Sequence, residues 1–88
     1  MTIFTGPIKE RVHEPTPEEV RTARENAGLS PDGAGALVST AALPRRTWEK
    51  WEKPEGTVNF RNMPIATWEL FLLLTDQHPT LKLTKRRG

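Results

Sequence analysis

The chain has 88 residues, a net charge of +2 and no cysteine. That length suits one small domain with loose ends; the lack of thiols excludes disulfides and thiolate metal sites, and two distant histidines, His13 and His78, cannot assemble a typical zinc site. No N-terminal apolar run resembles a signal peptide and the apolar stretch 70–74 falls far short of the roughly 20 residues of a membrane helix, so a soluble, cytoplasmic protein without metal or other cofactor is expected.

Residues 1–15 scatter apolar Ile3, Phe4, Ile8 and Val12 among Gly6, Pro7 and Pro15, which reads as an extended arm. Thr16-Pro17-Glu18-Glu19 then combines a capping box, a proline at the first helical position and acid in the first turn, so a helix should start there and run to about Ala27. Its inward stripe is Val20, Ala23 and Ala27; Gly28 should close it in the left-handed region, with Leu29 packing back on the last turn. Ser30-Pro31-Asp32 repeats the start signal for a second helix through Ala34, Leu37 and Val38. Gly33 and Gly35 each cost that helix up to about 1 kcal/mol relative to alanine. Close approach of another helix backbone at Gly35 is the expected compensation.

Pro44 opens a third helix that reaches about Lys53, and Pro54-Glu55-Gly56 ends it. In the following loop, 57–63, Val58 and Phe60 are expected against the core. Pro64 opens a last helix to Thr75 whose Ile65, Trp68, Leu70, Phe71, Leu72, Leu73 and Leu74 surround nearly its whole circumference. After Pro79 the chain becomes a basic tail. The resulting division is an arm over 1–15, a helical domain over 16–76 and a tail over 77–88.

Positive charge is localised in Arg45, Arg46, Lys50 and Lys53 and in Lys82, Lys85, Arg86 and Arg87, whereas 18–32 is slightly acidic. At about 100° per residue, Arg45, Arg46, Glu49, Lys50 and Lys53 share an arc of about 140°, with Pro44, Thr47, Trp48 and Trp51 across from them. The third helix is thus an aromatic anchor on one side and a mostly cationic surface on the other. Glu49 is suited to pairing within the helix, with Arg45 or Lys53 four residues away, or to accepting from cytosine N4.

Two short helices, the first holding a small residue and the second an apolar anchor pair, make the pattern of a helix-turn-helix. Residues 23–30, Ala34-Gly35-Ala36-Leu37-Val38 and Arg46-Thr47-Trp48-Glu49-Lys50-Trp51-Glu52 resemble the Cro-like and XRE-type transcriptional regulators of phages, plasmids and other mobile elements. Met63-Pro64 followed by Trp68-Glu69-Leu70-Phe71 looks like the last helix of a subgroup of them. The resemblance covers roughly residues 16–75. It implies an all-α, four-helix, lambda-repressor-like bundle, with Gly35 where the second helix meets the reading helix and with Pro44, Arg45, Arg46, Glu49, Lys50 and Lys53 facing DNA. One departure stands out. Ser39-Thr40-Ala41-Ala42 makes the turn about three residues longer than the usual tight one, so either the second helix runs on or the turn opens.

A reading helix enters the major groove with its N-terminal residues toward base edges while flanking groups hold phosphates. Arg45, Arg46, Glu49 and Lys50 are the expected base readers, and Ser30, Pro31, Pro44, Thr47 and Lys53 the expected backbone contacts. The encircling apolarity of the last helix assigns Trp68, Phe71, Leu72 and Leu74 to dimerisation as well as to the core. A homodimeric repressor on an inverted-repeat operator in double-stranded DNA, regulating its own operon, is the expected function. Its rivals are an antitoxin that uses the arm or tail against a toxin, and a helical interaction module that does not bind DNA. No catalytic set is visible, since Ser30 and Ser39 sit at helix ends and carboxylates alternate with bases, so no enzyme is expected. His13 and His78 read as ordinary surface residues.

Overall fold

A computed structural model describes residues 6–84; Ile3 and Phe4 of the arm and Lys85, Arg86 and Arg87 of the tail lie outside the described residues. Five helices follow in order: α1 (Ile8–Arg11), α2 (Pro17–Asn26), α3 (Pro31–Val38), α4 (Pro44–Glu52) and α5 (Ile65–Leu74). No strand occurs among the described residues, and none of their helices is long and apolar enough to cross a membrane.

Local capping sets the first two long helices. The Thr16 hydroxyl accepts from the Glu19 amide at 3.2 Å while the Glu19 carboxylate accepts from the Thr16 amide at 2.9 Å, closing the box and satisfying two otherwise orphaned donors. At the other end of α2, Gly28 adopts φ +71, and the amides of Gly28 and Leu29 reach back to the Glu25 and Arg24 carbonyls. Ser30 then caps α3 by accepting from the Gly33 amide at 3.0 Å. Helix α3 ends at Val38, so residues 39–43 form an opened turn and do not extend the helix.

Gly35 explains how α3 and α4 can touch. A Cβ placed there would stand 2.3 Å from the Pro44 carbonyl oxygen and 2.8 Å from its carbon, so the two backbones meet where a side chain is missing. Beneath that crossing lies the core of Val12, Val20, Ala23, Ala34, Trp48, Trp51, Met63, Trp68, Phe71 and Leu72. Trp48 is fully buried and meets Phe71 of α5 at 4.8 Å between ring centroids. The ring of Trp51 stands edge-on to it at 5.5 Å.

Four expectations need correction. The stretch before Thr16 is not an extended arm throughout, because Pro7 leads into the single turn α1 and the i, i+4 pair Ile8 and Val12 packs on the core, with Val12 buried. That turn adds a fifth helix to the four expected. In the 57–63 loop Met63 fills the core position, Phe60 is half-buried, and Val58 is 91% exposed. On α5, Trp68, Phe71 and Leu72 are consumed by the protomer's own core and are not available to a second copy; Leu70 and Leu74, 43% and 44% exposed and four residues apart, are the apolar residues it leaves outside.

The fourth correction is His78, whose side chain is wholly buried. Glu69 is a lone carboxylate on an otherwise apolar helix, and it is paired on both sides. Arg11 donates from Nε at 2.8 Å and from Nη2 at 2.9 Å, and His78 Nε2 lies 2.9 Å away. Nδ1 of His78 accepts from the Thr80 and Leu81 amides, so Nε2 carries the proton that goes to Glu69. The tail therefore begins beyond this clasp and not at residue 77.

The Arg11 hydrogen bonds hold the Glu69 carboxyl down at about 2, against the opposing push of burial and with help from His78. A carboxyl whose value falls from 4.5 on folding contributes stability that is complete above about pH 4.5 and is lost as the pH drops toward 2. Allowing for the solvent that still reaches the group, this amounts to about 2 kcal/mol. Acid unfolding followed by circular dichroism should be flatter over that window for Glu69→Gln, which should also be less stable at neutral pH; parallel acid limbs for the two proteins would refute the assignment.

Candidate nucleic-acid interface

Helix α4 carries the candidate surface, and its orientation is fixed from behind. Leu43 precedes it without a side-chain cap, and the Arg46 and Thr47 amides are taken up by the Leu43 carbonyl at 3.1 and 3.3 Å. The Pro44 backbone rests on Gly35, and Trp48 and Trp51 are buried. With those residues inward, the opposite face must be outward.

Glu52 at the end of α4 completes the mounting. Arg24 of α2 grips it with Nε at 2.6 Å and Nη2 at 3.2 Å, Arg21 approaches at 3.5 Å, and the Trp48 indole N–H donates to the same carboxylate. A further Arg24 N–H reaches the Leu29 carbonyl at 3.1 Å, tying the α2–α3 corner to the same node. Burial pushes the Glu52 carboxyl up, but the hydrogen bonds from Arg24 and Trp48 outweigh it and hold the group below its ordinary value. The partner guanidinium of Arg24 is raised, first by its hydrogen bond to Glu52. A shielded, fully hydrogen-bonded pair of this kind fixes the relative placing of two helices.

On the outward face Arg45, Arg46 and Lys50 are exposed. Arg45 Nε donates to Glu49 at 3.1 Å, so the carboxylate is neutralised one turn along and the face stays cationic. Arg46, Glu49, Lys50 and Lys53 line one depression of about 400 Å³ together with Asn59. The loop that brings Asn59 there is held by the Arg61 amide, which donates to the Lys50 carbonyl at 3.1 Å. Four cations and one already paired carboxylate therefore share a surface that an anionic polymer can approach over several residues.

The remaining expected positions are less uniform. Pro44 and Thr47 are half-buried, and Lys53 is half-buried in extended backbone just past the helix, so it extends the cationic row by leaving α4. Ser30 is exposed and Pro31 half-buried at the start of α3, where the Ser30 hydroxyl already accepts from the Gly33 amide. Sequence reasoning missed Asn59 and Arg61 beside α4, and Glu52 behind it. A polar pair in a short loop gives no periodic signal. Glu52 could have been suspected, since it stands four residues after Trp48, where an indole N–H needs an acceptor.

Searches against protein-family models, curated proteins and solved structures found no match for this chain.

Proposed function

We propose that the chain is a sequence-specific DNA-binding regulator, with α3 and α4 as a lambda-repressor-like helix-turn-helix and α4 as the reading helix. The observation that carries the reading is the sorting of α4: both tryptophans are buried while Arg45, Arg46 and Lys50 stand in solvent. Supporting it, α3 crosses the start of α4 at backbone distance through Gly35, as a helix pair held at a fixed angle requires. Arg46 is the leading base reader, because Arg45 shares its guanidinium with Glu49; a guanidinium offers two parallel donors to guanine O6 and N7. Lys50, Lys53 and the neighbouring Asn59 serve the edges and phosphates.

The proposed active form is a homodimer on an inverted repeat, since two copies would set two reading helices about 34 Å apart, one turn of duplex. Leu70 and Leu74 are the apolar pair left for its interface. Repression by occlusion of the bound DNA is the proposed mode of action.

Fluorescence anisotropy on the native upstream region and on random duplex tests the reading. Preference for the upstream region, with affinity falling steeply in salt, is expected. Arg46→Ala should lose about 1 to 3 kcal/mol of discrimination, whereas Lys53→Ala should weaken all sequences alike. Equal affinity for both duplexes refutes the specific regulator, and a single-subunit mass by light scattering on DNA refutes the dimer.

A further inference from the structure

Leu43 is out of keeping with the surface around it. It is 58% exposed at the head of α4, beside the exposed Ala41 and Ala42 and two residues from Arg45. Helices α2 and α3 are capped by the side chains of Thr16 and Ser30, and α4 begins on a leucine that can cap nothing. Local stability favours a small polar residue at such a position. A large apolar side chain is held there all the same, fixed by the two amides its carbonyl accepts and by the contact of Pro44 with Gly35.

A partner that suited both Leu43 and its neighbours Arg45 and Arg46 would be anionic around its rim and would offer a small apolar group at its centre. The major groove has that composition, with phosphates along its edges and the C5-methyl of thymine projecting from its floor. Resting on the regulator reading above, we propose that Leu43 is a specificity residue that packs on a thymine methyl next to the base taken by Arg46.

The test uses the full chain and the duplex it enriches most strongly from a random pool. Each thymine is replaced in turn by deoxyuridine, which removes the methyl and leaves every hydrogen-bonding edge unchanged, and affinity is measured for the wild type and for Leu43→Ala. One thymine in each half-site should cost the wild type roughly threefold to tenfold on conversion to uracil, the scale of one methyl group, and Leu43→Ala less than twofold. Because Leu43 is exposed, the variant should melt with the wild type, which separates lost contact from lost folding. Specific binding in which no thymine is sensitive, or in which the sensitive ones respond equally in both proteins, overturns the assignment and leaves the regulator reading standing. Loss of self-association by Leu43→Ala with unchanged uracil responses also overturns it, in favour of a protein contact. Failure of the pool to enrich any sequence overturns both readings.

Discussion

Gly35→Ala should destabilise the protein by about 3 kcal/mol and lower its melting temperature by roughly 12 to 24 °C, because the new methyl would fall inside the Pro44 peptide group and backbone cannot move aside cheaply. For a domain this small that is a large part of the total stability. Gly33→Ala is the matched control: its Cβ would meet the Ser30 hydroxyl at 3.4 Å and Leu29 at 3.7 Å, ordinary contacts, and helix propensity should make it stabilising by about 0.5 to 1 kcal/mol. Thermal melts of the two variants give opposite signs if the helix crossing selects glycine. Two shifts in the same direction would mean that something other than close approach keeps Gly35.

The second large effect belongs to Glu52. Glu52→Ala strands the Arg24 guanidinium, whose side chain is 16% exposed, and takes the acceptor away from the buried indole of Trp48. Urea unfolding should show a loss of about 2 to 4 kcal/mol with the slope unchanged. Glu52→Gln keeps the oxygen that accepts from both Arg24 Nε and the Trp48 indole, loses the acceptor for Arg24 Nη2 and the charge, and should recover part of it. If α4 is the reading helix proposed above, DNA affinity should fall with Glu52→Ala even under conditions where the variant stays folded, since α4 loses its brace on α2 while keeping all its outward cations. Full affinity in a folded Glu52→Ala would show that the brace does not set the reading angle.

What the sequence disclosed depends on how far apart the interacting residues lie. The Thr16 box, the Gly28 stop and the Ser30 cap all close within a few residues, so composition and spacing were sufficient to place them, whereas for Glu49 spacing left Arg45 and Lys53 as equal partners and the structure selects Arg45. The two faces of α4 follow from helical periodicity alone. Gly35 was legible in a weaker sense, since a glycine that harms its own helix must be serving another element. By contrast, Arg11 and Glu69 are 58 residues apart and Arg24 and Glu52 are 28 apart, and no local rule selects one arginine among many. A signal did exist for Glu69, because a carboxylate within an apolar helix demands a cation. Had that demand been followed, His78 and the segment before Thr16 would have been the segments to search. Apolarity all round α5 left open which residues face inward, and it took the position of Trp48 against Phe71 to decide it.

The clasp at Glu69 also ties the two segments that flank the helices to each other. Arg11 and His78 hold the same carboxylate, so the segments before α2 and after α5 meet side by side at α5. Glu69 projects about 200° round α5 from Phe71, which faces Trp48, so the clasp lies on the side of α5 turned away from α4. Release of the Glu69 carboxylate would therefore free the segments on both sides of the bundle together.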